Sequence, residues 1–180
     1  MRKILLCLPL LLLFLLLPVQ AAELEMRGVW VSSVYNLDYP SRQGLTESQL
    51  KAEADAIISQ AVEWNMTAIF LQVRPAADAL YASEIVPWSS VLTGKQGQAP
   101  DGGFDPLAYF VQQCHANSLE LHAWLNPYRY ASSDATFGKN HPLDYYNTHP
   151  DWLVDCGGIT ILNPSLPEVR EQICKVVADI

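Results

Sequence analysis

The chain has 180 residues, 50% hydrophobic and 17% charged, with 9 Gly and 12 Pro, which is the composition of a packed domain and excludes wholesale disorder or a collagen-like rod. Lys and Arg number 11 against 19 Asp and Glu, a formal net charge of −8, so there is no basic stripe to coat nucleic acid. One domain, or part of one, is expected.

Arg2 and Lys3 precede an apolar run over 4–17 that closes on Pro18 and the small pair Ala21 and Ala22. This predicts a secretory signal peptide over 1–22, cut near Ala21 or Ala22, because about 14 apolar residues fall short of the roughly 20 that span a bilayer. Lipid attachment at Cys7 does not fit, since that cysteine sits inside the apolar run. Removing 1–22 takes away two bases and no acid and leaves −10. The product is expected in the periplasm or secreted, touching a membrane only through its leader. Cys114, Cys156 and Cys174 remain, so at least one is unpaired. Cys114 and Cys174 read as small buried hydrophobes on helix faces.

The first mature segment, Arg27-Gly28-Val29-Trp30-Val31-Ser32-Ser33, reads as a buried strand. Thr46 with Gln49 then spells a capping box, and Leu50, Ala54, Ile57, Ile58, Ala61 and Val62 recur at helical spacing up to Trp64 and Asn65. A second strand over 68–73 is nearly all apolar, which implies burial on both faces as in parallel sheets. The Gly- and Pro-rich connection over 74–104 is long enough to be functional.

Asp105-Pro106 opens the next helix, with Leu107, Phe110, Val111 and Cys114 as its buried stripe and Asn117-Ser118 as its stop. The third strand, 119–126, alternates strictly until Pro127. A second long connection, 128–164, leads to a helix whose start, Ser165-Leu166-Pro167-Glu168, is another capping box and whose face is Val169, Ile173, Val176 and Val177. That helix shows no stop signal, and Asp179 stands where the macrodipole disfavours an acid.

The order βαβαβα predicts a parallel sheet with right-handed crossovers. A complete (β/α)8 TIM barrel takes about 250 residues, and 158 follow the leader. The fold is therefore either a small open sheet or the N-terminal portion of a barrel, and the unfinished helix favours the portion of a barrel. Residues 23–180 form that domain. In a barrel, Leu119, Leu121 and Leu125 pack on helices, while Glu120, His122, Trp124 and Asn126 face inward, with Trp124 and Asn126 at the mouth. Phe70, Gln72 and Arg74 share one face of the second strand, and Gly28, Trp30 and Ser32 one face of the first. Aromatic faces, a guanidinium fork, an imidazole and an amide at one mouth suit a sugar ring, whose C–H face stacks while its hydroxyls take directional bonds.

The runs Met26-Arg27-Gly28-Val29-Trp30-Val31-Ser32-Ser33, Leu71-Gln72-Val73-Arg74-Pro75-Ala76-Ala77-Asp78-Ala79-Leu80-Tyr81 and His122-Ala123-Trp124-Leu125-Asn126-Pro127-Tyr128-Arg129, with Leu162-Asn163-Pro164 ahead of Pro167-Glu168-Val169-Arg170, resemble the glycosyl hydrolase-like family 10 proteins over residues 25–180. The resemblance implies a TIM-barrel glycosidase of the bacterial envelope, with at least one member acting on peptidoglycan strands stripped of peptides. It also implies that the principal catalytic carboxylates lie on an Asp-rich segment past Ile180. Glycoside hydrolysis generally needs two carboxyl groups about 5–5.5 or 6.5–9.5 Å apart, and no convincing pair stands out in this chain.

The candidate binding residues are Trp30, Arg74, Asp78, His122, Trp124, Asn126, Tyr128 and Arg129. Arg74 reads as a substrate contact in preference to a tether to a loop backbone or to Asp78. Asp78 reads equally as a helix cap or a site residue, and His122 as a core histidine or a ligand-facing one. Trp30 and Trp124 either fill the barrel or stack on sugar. Asn126, Tyr128 and Arg129, at and beyond a strand end, read as binding residues, and Asn163 as a turn former. Trp88 and Trp152 are stacking platforms or loop anchors. No GxGxxG, Walker A, CxxC or His-rich spacing occurs, so neither nucleotide nor metal cofactor is expected and the partner is a glycan. The competing expectations are a non-catalytic glycan-binding barrel and an inactive gene fragment.

Overall fold

The computed structural model describes residues 25–132 and 141–180, and the expected leader lies outside them. Three strands, β1 (Gly28–Val31), β2 (Ala68–Arg74) and β3 (Glu120–Leu125), form a parallel sheet in the order β1-β2-β3. Between them run α1 (Glu47–Glu63), a short α2 (Ser90–Thr93) and α3 (Pro106–Ala116). The result is a mixed α/β domain.

The predicted caps form. Thr46 Oγ1 accepts from the Gln49 backbone N–H at 3.4 Å, and Gln49 Oε1 accepts from the Thr46 N–H at 3.0 Å. At α3 the Asp105 carboxylate accepts from the Ala108 N–H at 3.0 Å with Pro106 in the first turn, and Ser118 past its end has φ +59°. Each bond satisfies a helix-end donor that would otherwise be orphaned.

One face of the sheet is buried. Val31, Ile69 and Leu71 pack with Leu50, Ala54, Ile58 and Ala61 of α1 and with Leu107, Phe110 and Cys114 of α3. Three residues expected in helix stripes are exposed instead: Val62, Val111 and Val177. Val62, Val111 and Val177 directly follow the buried Ala61, Phe110 and Val176. Consecutive residues sit about 100° apart around a helix, so each turns off the narrow contact stripe.

The connection expected to be a loop over 128–164 carries a second sheet. In it β4 (Arg129–Ser132), β5 (Leu153–Asp155) and β6 (Ile159–Leu162) pair antiparallel in the order β4-β6-β5, and a short helix, α4 (Tyr145–Thr148), lies between β4 and β5 in the chain. Strands of three or four residues are too short to show alternation. The signal available was Gly157-Gly158, which joins β5 to β6 with φ of +66° and +93°.

The last helix, α5 (Pro167–Asp179), has Leu166 as its N-cap and no side-chain cap, so the expected box at Ser165 does not form. The Ser165 N–H and hydroxyl both donate to Asn163 Oδ1, at 3.0 and 2.7 Å. Asn163 is thus a turn former that takes Ser165 out of capping. Asp179 accepts from the Ser83 hydroxyl at 2.5 Å. Cys114 is buried, and burial raises its thiol to about 11. Cys174, expected inside, is exposed like Cys156, and none of the three is in a disulfide.

Candidate functional site

The face of the parallel sheet opposite the helices carries an aromatic row. Trp30, Phe70 and His122 lie in register on adjacent strands. Trp30 and Phe70 stack at 4.7 Å between ring centroids, Phe70 and His122 stack at 4.6 Å, and Trp124 meets the edge of Trp30 at 5.0 Å. Gly28 makes room for this: a Cβ there would lie 2.5 Å from Phe70 Cε2. Trp30 remains 58% exposed, and Phe70, His122 and Trp124 are half-buried. His122 Nε2 lies 3.0 Å from Glu120 Oε2, which fixes its ring.

At the C-terminal ends of the same strands the chemistry is polar. Gln72 is buried, and its Oε1 accepts from the Ser33 N–H at 3.0 Å, the Val34 N–H at 2.9 Å and the Ser32 hydroxyl at 3.1 Å. This holds the turn after β1, in which Tyr35 and Asn36 both adopt left-handed φ, +56° and +55°. Such residues cost about 1–2 kcal/mol each, and the turn is retained by Asn36 Nδ2 donating to Pro40 and Val91 carbonyls, both at 2.8 Å. The outcome is a Tyr35 ring 61% exposed at the strand ends, its hydroxyl 3.4 Å from Arg129 Nη2. Tyr35 is the residue the sequence reading missed, because nothing in its pattern announces positive φ.

Arg74 and Asp78 are both buried. A register irregularity between Gln72 and Arg74 sets Arg74 opposite Leu125, which breaks the simple alternation with Phe70 and Gln72. The Arg74 Nε, Nη1 and Nη2 make no hydrogen bond, so the guanidinium tethers nothing. Asp78 caps no helix. Burial pushes its carboxyl up from the ordinary value of 3.8, against the pull of the Ser89 hydroxyl and the Arg74 charge. It lines a cavity of about 30 Å³ with Pro75, Ala76, Ser89, Tyr35 and Arg129.

The structure thus divides the expected site. Trp30, His122 and Trp124 share the open face, whereas Arg74, Asp78 and Arg129 gather at the strand ends. Asn126 is beside them, donating from Nδ2 to the Pro75 carbonyl at 2.9 Å. Tyr128 stands apart, with its ring packed against the core. Trp152 is a loop anchor, buried and stacked on His149 at 3.8 Å. A concavity of about 470 Å³ lies elsewhere, between β1 and α1, and its mostly apolar lining, including Val29, Val31, Ile57, Ala61 and Trp64, offers few groups to orient hydroxyls. The strand ends and open face are therefore the candidate site. Among the described residues no three His, Cys, Asp or Glu are grouped to hold a metal ion.

A sequence model of the family described as glycosyl hydrolase-like 10 matches residues 25–180. The chain belongs to the glycosyl hydrolase-like 10 family. Among relatives, glycosyl hydrolase YngK of Bacillus subtilis (strain 168) is 38% identical over 162 residues, covering 88% of this chain and 31% of that protein. Glycosyl hydrolase DigH of Escherichia coli (strain K12) is 31% identical over 177 residues, covering 89% of this chain and 40% of that protein. The chain therefore spans between about a third and two fifths of the length of these glycosyl hydrolase-like 10 relatives. Membership makes this domain glycosidase-like, with the aromatic row and the Tyr35, Arg74, Asp78, Asn126 and Arg129 group as its candidate surface.

Proposed function

We propose that this domain is part of a bacterial-envelope O-glycosidase that cleaves peptidoglycan glycan strands freed of their peptides. The observation that carries the reading is the juxtaposition, on the same three parallel strands, of a partly exposed aromatic row and a polar cluster at the strand C-termini. In α/β architectures ligands bind outside those ends. A sugar ring stacked on Trp30 or Trp124 would present its hydroxyls to directional donors such as those of Asn126 and Arg129.

A (β/α)8 barrel is the architecture we propose for the whole protein. Two features support it. Among the described residues both β1 and β3 are sheet edges, and an apolar groove flanks β1, as a further βα unit would require. Hydrolysis would proceed by general acid/base chemistry at two carboxyl groups, one protonating the leaving oxygen and the other acting as nucleophile or activating water. The part of the site described here binds and orients the strand. Export through the leader over 1–22 places the enzyme beside this polymer.

The test is incubation of the full-length protein with peptide-free glycan strands. Soluble fragments with new reducing ends are expected. Normal binding with no fragments would overturn the enzyme reading in favour of a glycan-binding barrel.

A further inference from the structure

Buried polar groups in proteins are almost always partnered, and a buried charge left alone is among the costliest features a fold can hold. The carboxylate of Asp144, whose charge acts on Asp78, obeys the rule, although Gln96 Oε1 beside it is unpartnered. The Asp144 carboxylate is buried and takes hydrogen bonds from the Tyr130 hydroxyl at 2.7 Å, the Tyr146 N–H at 2.8 Å and Gln96 Nε2 at 2.8 Å. Arg74 breaks it. It is 0% exposed, and all three of its guanidinium nitrogens lack an acceptor. Two further buried atoms are unpartnered beside it, the Tyr81 hydroxyl and Asp78 Oδ1, and the Arg74 charge acts on both residues.

The unmet groups are unbalanced in kind. A guanidinium supplies five N–H donors in a planar fork, and the phenol supplies one more. Asp78 is the acid among them, and burial drives its carboxyl towards the neutral form, so it is a poor counter-ion for Arg74; Asp179 and Asp144 act on Tyr81 and Asp78 but take hydrogen bonds from Ser83 and Tyr130. What the cluster lacks is an anion with two coplanar oxygens. The cavity that Asp78 lines is walled also by Pro75 and Ala76, which directly follow Arg74 in the chain; Arg74 and Tyr81 themselves do not line it. Tyr35 and Arg129 stand at the same cavity, where a ring carrying such an anion would rest.

We infer that Arg74, with Tyr81 and Asp78, is a seat for a carboxylate, gripped in fork-to-fork fashion by the guanidinium. The seat deepens the proposed function and its substrate reading rests on that proposal. A glycan strand stripped of peptide exposes a free carboxylate where an intact strand carries an amide, so an arginine seat would select the stripped form. The same chemistry would be met by an Asp or Glu side chain from elsewhere in the protein, and the experiment separates these two sources.

Full-length wild type and Arg74→Met are compared on peptide-free strands and on the same strands with their carboxylates converted to amides, and the melting temperature of each protein is recorded. If the glycan supplies the carboxylate, wild type prefers the acid strand by about tenfold or more, as a charge-assisted bidentate pair implies. Arg74→Met then abolishes the preference without lowering the melting temperature, since an unpaired buried charge has been removed. If the protein supplies it, the preference is unaffected by the substitution and the melting temperature falls by several degrees, because a buried acid is left alone. No change in either quantity overturns the seat. Should Arg74→Met not fold, Arg74→Lys, which keeps the charge and loses the fork, is compared in its place, and a preference and melting temperature equal to wild type overturn the seat. If neither strand binds wild type, the glycosidase reading fails, and the seat stands or falls on whether acetate raises the melting temperature of wild type and not of Arg74→Met.

Discussion

The two faces of the parallel sheet are built from the same three strands and do opposite things. On the helix side, Val31, Ile69 and Leu71 are closed over by α1 and α3. On the other side, Trp30, Phe70, His122 and Trp124 stack on one another while leaving ring surface in water. Aliphatic residues interdigitate without directional demands and suit a core. Flat rings and polar tips that remain partly wet suit a ligand with one apolar face and many hydroxyls. Alternation along each strand lets stability and recognition be tuned separately.

The largest effect that would sharpen this contrast comes from the core. Phe110→Ala, at a fully buried ring, should cost about 3–5 kcal/mol in denaturant unfolding. Gln72→Ala comes next and cuts across the division, because Gln72 lies on the open-face register yet serves the backbone. Stranding the Ser33 and Val34 N–H groups should cost about 1–3 kcal/mol for each one that stays buried. A loss confined to binding, with unfolding unchanged, would break the assignment. Thr46→Ala should cost about 1 kcal/mol through loss of the capping box, with no effect on glycan binding.

The smallest effect is a pH slope. Burial raises the Asp78 carboxyl above its ordinary 3.8, so the folded state holds a proton that the unfolded state releases. Stability from this group is therefore present below 3.8 and declines as pH rises through the folded-state value. Asp78→Asn should flatten that decline in melting temperature over the acid to neutral range. An unchanged slope would show that Asp78 is charged where it is buried.

Much of the scaffold was legible in the sequence because it is locally redundant. The strand over 68–73 is apolar except for Gln72, and Thr46, Gln49, Asp105 and Pro106 announce helix starts that the structure realises. The antiparallel sheet was not legible, since β4 is held by a partner far along the chain and all three strands are too short to carry a pattern. The candidate site was legible in its residue types and not in its partition. Strand phase brings Trp30, Phe70, His122 and Trp124 together correctly, but the irregularity after Gln72 and the packing of Tyr128 depend on tertiary contacts. Tyr35 was invisible for a similar reason: its left-handed backbone is imposed by Gln72 and by the bonds of Asn36 to Pro40 and Val91, not by its own preference.

Whether one face of the sheet stabilises and the other recognises is decided by the affinity of the full-length protein for peptide-free glycan strands in two neighbouring variants. Phe70→Ala, which removes the middle ring of the row, is predicted to weaken binding about tenfold, the equivalent of about 1.4 kcal/mol. Leu71→Ala, one residue along on the core face, is predicted to lower the melting temperature while leaving affinity within about twofold wherever the protein remains folded. Equal losses of affinity in the two variants, or a larger loss in Leu71→Ala, would contradict the division.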